Sequence, residues 1–169
     1  MKSLLVPLII ILLFVTAIAQ IDNESGSKRT APNFKLEDIN REIVELNDFV
    51  GTGPVLICFW SSCCKSAVSQ LEAFADLYDN YGGKGFTMFG IATDDERTIA
   101  KVKPYVRSKN YKFQVLYDTD QEVARIYYAF DIPFSVLINK SGRIVYSHRG
   151  YMKGDEIELE NKIIDLLAK

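Results

Sequence analysis

Apolar residues along the chain follow two alternating patterns. Unbroken apolar runs, such as residues 55–59, are typical of strands that are buried on both faces of a sheet. Other segments repeat apolar residues at every third or fourth position, which places those residues on one face of a helix. The clearest of these segments begins near Cys64 or Lys65, and its apolar face comprises Val68, Leu71, Phe74, Ala75, Tyr78 and Tyr81. A buried strand therefore leads into a long helix close to Cys64.

The same two patterns continue to the end of the chain. We expect a short β-hairpin in residues 31–46, further strands at 86–92 and 113–116, and a closing hairpin in residues 135–148. Helices are expected at 93–109, 121–128 and 155–168, and residues 93–96 would cap the first of these three. Their predicted buried faces are, in turn, Ile99, Val102, Tyr105 and Val106; Val123, Ile126 and Tyr127; and Ile157, Ile163, Ile164 and Leu167. Strands that alternate with helices imply parallel crossovers, so the order predicts an α/β fold with a mixed sheet.

The N-terminal residues are typical of a secretion signal. Lys2 precedes an apolar run over residues 4–15, and Ala17 and Ala19 give the small-x-small pattern of a cleavage site after Ala19. The apolar run is shorter than the roughly 18–20 residues that span a bilayer, so cleavage is expected, and an uncleaved membrane anchor is the alternative. We therefore predict a signal peptide at 1–19, a flexible polar linker at 20–30 and a single domain at 31–169.

Composition excludes several classes of function. The formal net charge is −2 and neither sign is concentrated in a block, so nothing indicates binding to nucleic acid. No group of His, Cys, Asp and Glu residues has metal-ligand spacing, and no cofactor is implied. The chain has three cysteines, an odd number and too few for a disulfide framework. In an oxidising compartment, a thiol left unpaired is either buried or used.

Cys64 is the main candidate for chemistry because it lies where the strand turns into the helix. The unpaired N–H groups and the dipole at a helix N-terminus favour a thiolate over a thiol, and the thiolate is the nucleophile. Lys65 adds a positive charge next to it. The alternative is a free cysteine that packs as a small apolar residue. Ser61 and Ser62, with Trp60 before them, suggest an exposed loop rather than core, which favours the reactive interpretation.

The segment F-W-S-S-C-C at residues 59–64, with the preceding strand and L-Y-D-N-Y-G at 77–82, resembles the active-site segment of the TlpA/ResA group of thioredoxin-like proteins. That group reads F-W-A-x-W-C-x-x-C, so the resemblance places its first catalytic cysteine at Cys64, its second at Ala67 and its tryptophan at Cys63. The resolving thiol is thus replaced by Ala67. A single thiol can reach a mixed disulfide, a sulfenic acid or a metal-bound state, but it cannot form the usual disulfide alone. The resemblance implies a thioredoxin-like three-layer sandwich with an N-terminal β-hairpin extension, from Ala31 almost to the C-terminus.

The resemblance also implies a cis-proline at Pro133. In thioredoxin-like folds such a proline faces the active cysteine and leaves a backbone edge free to pair with an extended client peptide. The substrate groove would then comprise Trp60, Ile132 and Pro133, with Trp60 packed beneath the loop. The alternative is a trans proline in a turn.

Two further cysteines are candidate auxiliary thiols. Cys58 lies on the central strand and either packs as a core thiol or serves as a displaced resolving thiol that attacks a mixed disulfide on Cys64 from below. Cys63 could form a vicinal disulfide with Cys64, act as an exposed second thiol, or simply replace the family's tryptophan.

Three functions follow in order of preference. The first is an extracytoplasmic thiol–disulfide oxidoreductase, expected to be a monomer, that acts through Cys64 on client protein thiols and disulfides with an external thiol reductant. It would meet a membrane only through an uncleaved N-terminal segment. The second is a binding module that keeps the groove and has lost the redox cycle. The third is a cysteine-dependent peroxidase, because peroxiredoxins share the opening A-P-x-F-x-L. We place it last because peroxiredoxins carry a threonine at the position of Ser61 and a proline at the position of Ile57.

Overall fold

A computed structural model of the protein describes residues 29–169 as one mixed sheet with helices on both faces. The predicted signal peptide and all but the last two residues of the predicted linker lie outside the described residues. The strands are β1 Lys35–Asp38, β2 Ile43–Glu45, β3 Val55–Trp60, β4 Thr87–Ala92, β5 Gln114–Tyr117, β6 Phe134–Ile138 and β7 Ile144–Arg149. The helices are α1 Lys65–Tyr81, α2 Val102–Lys109, α3 Glu122–Ile126 and α4 Asp155–Leu167.

The strand that the apolar run predicts lies at the centre of this sheet. The spatial order is β2-β1-β5-β4-β3-β6-β7. β3, β4 and β5 are parallel, whereas β6 and β7 on one side and β1 and β2 on the other are antiparallel. All six side chains of β3 are buried, as a central strand covered on both faces requires. The mixed sheet, the antiparallel edges and the N-terminal hairpin are as predicted.

Side chains of β3 alternate between two separate cores. Leu56, Cys58 and Trp60 face a core that α1, α2 and α4 cover. Residues 55, 57 and 59 face a second core, which α3 and the N-terminal segment cover. These two helical layers and the sheet between them make the predicted three-layer sandwich. Thr30 forms an isolated bridge with Arg143, so the ordered domain begins slightly before residue 31.

The helix expected at 93–109 begins later than the sequence suggests. Asp95 makes the expected capping turn, because its carboxylate accepts hydrogen bonds from the backbone N–H groups of Arg97 and Thr98. A 3₁₀ turn at Ile99–Lys101 follows, and α2 itself starts only at Val102. Pro104 then falls in the first turn of α2, where a missing N–H costs little.

Two of the predicted helix faces are partly wrong. On α3, Ile126 is 44% exposed, and Ala124 is buried in its place beside Val123. On α4, Ile157 and Ile164 are 62% and 43% exposed, whereas Leu159 and Ile163 form the buried stripe. Apolar residues are abundant on both sides of these short helices, so periodicity alone does not decide which side faces the core.

The end of the sheet opposite Cys64 is closed by two glycines. A Cβ atom built on Gly53 would lie 2.0 Å from the carbonyl oxygen of Gly85. These residues belong to the two loops that lead into β3 and β4, so the loops approach each other through bare backbone.

No helix within residues 29–169 is both long and apolar enough to cross a membrane.

Candidate functional site

Cys64 is the residue at the junction between β3 and α1. It occupies the N-cap position of α1, with extended backbone angles, and its carbonyl oxygen accepts the first helical hydrogen bond from Val68. Its side chain is partly exposed, in contrast to the fully buried strand before it. The strand-to-helix placement that the sequence predicts is therefore correct.

The environment of the Cys64 sulfur is suited to negative charge. No side chain within the described residues caps this end of α1, so the first-turn N–H groups have no acceptor other than solvent or the Cys64 sulfur. The hydroxyl of Ser66 lies 3.4 Å from Sγ and can donate a hydrogen bond to it. Ser66 was not singled out in the sequence, although its place in the first helical turn is the kind of position from which a hydroxyl reaches an N-cap atom.

A second segment, the loop before β6, faces the same sulfur. The peptide bond between Ile132 and Pro133 is cis, as predicted. The Cys64 thiol donates a weak hydrogen bond to the carbonyl oxygen of Ile132, with 3.9 Å between sulfur and oxygen. Residues 68 positions apart are thus in contact, and the structure brings Cys64, Ile132 and Pro133 together.

The backbone of Ile132 is open to pairing. Within residues 29–169 neither its N–H nor its carbonyl oxygen has a backbone partner, because β6 pairs with β3 only from Phe134 onward. Ile132 is partly exposed, whereas Pro133 is buried and its carbonyl oxygen already accepts from Gly150. The open edge beside Cys64 therefore belongs to Ile132, and Pro133 supports it from behind.

Trp60 is buried beneath the loop, as expected, and its side chain is not part of this exposed edge. The strand continues through Trp60, which pairs in register with Ala92, and the side chain is fully buried. Its ring packs against Tyr105 with 5.7 Å between ring centroids. The serines that follow made Trp60 look like part of a loop, but the sheet extends one residue further because β4 runs alongside it.

The other two cysteines differ sharply in their surroundings. Cys63 is exposed, Cys58 is buried, and all three cysteines are free, so no vicinal disulfide links Cys63 to Cys64. Burial raises the pKa of the Cys58 thiol, which disfavours the thiolate. Its position in the core favours the packing interpretation over the role of resolving thiol.

Ala67 and Gln70 lie on the buried side of α1 behind Cys64. Ala67 is fully buried in the first turn of α1. Gln70 is also buried; its side-chain nitrogen donates to the carbonyl oxygen of Gly150 at 3.2 Å, and its side-chain oxygen has no partner within the described residues. Neither side chain is a second thiol or an acid that could take part in a redox or proton-transfer step.

The loop between Trp60 and Cys64 is held by the segment that follows β4. Thr93 donates to the Trp60 carbonyl oxygen through its N–H at 2.9 Å and its hydroxyl at 3.2 Å. The Asp94 carboxylate accepts hydrogen bonds from the N–H and the hydroxyl of Ser62. Sequence reasoning assigned Asp94 to a helix cap instead. A contact across 32 positions leaves no local signal that could have revealed it.

The described residues offer no ready metal site. In residues 29–169 no group of three or more His, Cys, Asp and Glu side chains is arranged to hold a metal ion.

The arrangement of sheet, helices and cysteine loop is a thioredoxin-like fold, and solved structures share it. A protein from Chlorobium tepidum assigned to thiol:disulfide interchange protein DsbE is 25% identical, with a TM-score of 0.76 over 83% of this chain and 96% of that one. A thioredoxin-like protein from Porphyromonas gingivalis is 27% identical, with a TM-score of 0.68 over 81% of this chain and 91% of that one.

Sequence comparison gives the same class. The profile of the AhpC/TSA family matches residues 28–147, and the chain belongs to that family. The thiol-disulfide oxidoreductase ResA of Bacillus thuringiensis subsp. konkukian is 32% identical over 130 residues, which cover 77% of this chain and 73% of the relative. ResA of Bacillus subtilis is 30% identical over 122 residues, or 72% of this chain and 66% of the relative. The protein is thus thiol-disulfide oxidoreductase-like, and the predicted resemblance to the ResA group is confirmed.

Proposed function

We propose that the protein exchanges disulfides with client proteins through the single thiol of Cys64, in an extracytoplasmic compartment. One observation carries the proposal: a partly exposed cysteine at the uncapped N-terminus of α1 faces the unpaired backbone of Ile132. The uncapped helix end offers N–H donors to the attacking sulfur, and the free backbone offers a place for the client chain.

Ionisation of Cys64 would prepare the client site. The neutral thiol donates to the Ile132 carbonyl oxygen, but a thiolate has no proton to donate. The sulfur would then accept hydrogen bonds from the first turn of α1 and from Ser66, and the Ile132 oxygen would be free to accept an N–H from an extended client segment. One proton transfer thus exposes both the nucleophile and the docking edge.

The exchange proceeds in two steps. The Cys64 thiolate attacks one sulfur of a client disulfide; a new bond forms between Cys64 and that sulfur, and the second client sulfur leaves as a thiolate that takes a proton from solvent. Ala67 cannot attack this mixed disulfide. Release therefore requires an external thiol, whose thiolate bonds to the client sulfur and returns Cys64 as a thiolate. Neither remaining cysteine replaces that external thiol in this scheme: Cys58 is buried, and Cys63 is exposed to solvent.

Trapping tests the proposal. The full chain, with its own N-terminal residues, is expressed in a bacterium with an oxidising periplasm, free thiols are blocked with N-ethylmaleimide, and disulfide-linked adducts are identified by mass spectrometry. Matched Cys58→Ala, Cys63→Ala and Cys64→Ala variants serve as controls. We expect adducts in the parent, Cys58→Ala and Cys63→Ala proteins and none with Cys64→Ala.

A separate measurement tests the predicted secretion signal: sequencing of the N-terminus of the mature protein shows whether cleavage occurs after Ala19.

A binding module without redox chemistry is the second candidate, because Ala67 removes the resolving thiol. It predicts that client proteins co-purify equally with the parent and the Cys64→Ala protein, with no disulfide-linked species. Adducts that persist in Cys64→Ala would contradict the proposed role of this thiol. Consumption of hydrogen peroxide that depends on Cys64 would instead establish the peroxidase.

A further inference from the structure

Asp94 is a buried carboxylate whose hydrogen bonds, among residues 29–169, all come from one residue. It lies just after β4 and is 1% exposed. Its Oδ2 accepts the backbone N–H of Ser62 at 2.9 Å, and its Oδ1 accepts the Ser62 hydroxyl at 2.5 Å. Ser62 is two positions before Cys64, so the Asp94 carboxylate is hydrogen-bonded to the loop that carries the candidate nucleophile.

No cation shares this carboxylate. Within residues 29–169, no Lys, Arg or His side chain forms an ion pair with Asp94. A buried carboxylate is costly unless hydrogen bonds replace the water it has lost. Both replacements come from Ser62, so the loop cannot move away from β4 without leaving the carboxylate unsatisfied.

The contacts continue from Asp94 to Cys64 without a gap. Thr93 holds the carbonyl oxygen of Trp60, Asp94 holds Ser62, and the carbonyl oxygen of Ser61 accepts the N–H of Cys64 at 3.1 Å. The loop is therefore fixed at one end by β4 and at the other by the start of α1. The Ser62 hydroxyl also lies 3.9 Å from the Cys63 sulfur.

We propose that Asp94 is a positioning residue, which acts through Ser62 to hold the loop so that the Cys64 sulfur stays at the N-terminus of α1. The inference rests on the proposed function of Cys64 as nucleophile. The negative charge of Asp94 cannot itself favour a nearby thiolate, so its contribution is geometric: it restricts the loop. Asp94 touches no reacting atom in this arrangement.

Removal of one hydroxyl tests this role without altering the charge. In a Cys58→Ala, Cys63→Ala background, iodoacetamide alkylation reports Cys64 alone. Ser62→Ala removes the shorter contact, Ser62→Thr keeps a hydroxyl, and Ser69→Ala changes an exposed serine further along α1. At neutral pH we expect Ser62→Ala to slow alkylation about fivefold, the order of one typical intramolecular hydrogen bond. Ser62→Thr should return the rate to within about twofold of the background protein, as should Ser69→Ala.

Amide hydrogen exchange gives a second readout that does not depend on thiol chemistry. Ser62→Ala should speed exchange at residues 62–64 while exchange in the core of β3 is unchanged, because the loop alone is released. Thermal unfolding followed by circular dichroism confirms that all variants are folded.

Three results would overturn the inference: an unchanged alkylation rate in Ser62→Ala, an equal loss in Ser62→Ala and Ser62→Thr, or unchanged exchange at residues 62–64. Failure of the proposed function looks different. If Cys64 of the background protein is alkylated but never trapped with a client, the proposed disulfide exchange is contradicted. The ratio of alkylation rates between Ser62→Ala and the background protein would still decide the role of Asp94.

Discussion

Ala67 lies on the buried side of α1 one helical turn after Cys64, fully enclosed, while Cys64 remains partly open to solvent. Residues three apart on a helix have Cβ atoms about 5–6 Å apart, whereas a disulfide holds its Cβ atoms about 3.5–4.5 Å apart, so a bridge between positions 64 and 67 needs a small shift at the start of the helix. The first turn of α1 therefore offers a place for a second thiol beside Cys64.

Ala67→Cys should restore that second thiol. We expect an intramolecular disulfide with Cys64 under mild oxidation and a gain of insulin-reducing activity in the presence of dithiothreitol. Insertion of a sulfur into a packed site should cost about 1–3 kcal/mol of unfolding free energy. Intact mass and thiol counts measure the disulfide, and Ser69→Cys, which is exposed on another face of α1, is the matched control. Equal disulfide formation in both variants would show that α1 does not hold the predicted geometry.

The hydroxyl of Ser66 should support the reactivity of Cys64. Because it lies 3.4 Å from the sulfur, it can donate to a thiolate, and this bond is lost in Ser66→Ala. We expect the alkylation rate of Cys64 at neutral pH to fall by about two- to fivefold, as for loss of one typical hydrogen bond. Ser66→Thr should retain most of the rate. A faster reaction in Ser66→Ala would mean that the hydroxyl accepts from the thiol instead.

Cys58 should be inert in the folded protein. It is fully buried, and burial raises the pKa of its thiol, so neither reagent access nor the thiolate form is available. In a Cys63→Ala, Cys64→Ala protein we expect labelling by Ellman's reagent only at the rate of unfolding, with acceleration by urea. A protein that keeps only the exposed Cys63 should react at once. Rapid native-state labelling of Cys58 would revive its role as a resolving thiol.

Asp118 should make stability depend on pH. Its buried carboxylate accepts the N–H groups of Val123 and Ala124 at the start of α3, at 3.1 and 2.7 Å. Burial nevertheless raises the pKa of the carboxyl above its usual 3.8, against the opposing effect of these hydrogen bonds. An acid whose pKa is higher in the folded state stabilises that state most below its unfolded pKa and loses this contribution as the pH rises through the folded pKa.

Urea unfolding of the parent and of Asp118→Asn across the acidic range measures this contribution. The stability advantage of the parent should be greatest at low pH and should shrink as the pH rises, because the amide does not titrate. An advantage that grows with pH would contradict the sign of the shift. Asp118→Ala should cost about 1–2 kcal/mol at low pH, as for loss of a helix cap, and less as the pH rises, because alanine does not titrate either.

Sequence patterns predicted the parts of the fold that depend on neighbours along the chain. The apolar run of β3 and the periodicity of α1 place Cys64 at their junction, and both elements are present. The cis bond before Pro133 was predicted from the resemblance of its segment, not from the chemistry of a single proline.

The remainder of the site depends on contacts that no local pattern encodes. Trp60 was expected in an exposed loop because serines follow it, yet pairing with Ala92 extends the strand and buries the ring. Asp94 was expected to cap a helix because it stands among capping residues, and it instead reaches Ser62 on a neighbouring strand end. In both cases the sheet decides the role of the side chain, and sheet register was not available from composition or periodicity.

The approach of Gly53 to Gly85 limits how this domain can change. With 2.0 Å between a hypothetical Cβ and the facing carbonyl oxygen, any substitution at position 53 must displace the entries of β3 and β4 together. Random mutagenesis followed by selection for folded protein should therefore return glycine at that position, whereas the exposed Cys63 loop end tolerates variety. The two ends of the sheet thus differ in the substitutions they allow. At Gly53 the facing backbone leaves no space for a side chain, whereas at the other end the exposed side chain of Cys63 can be replaced.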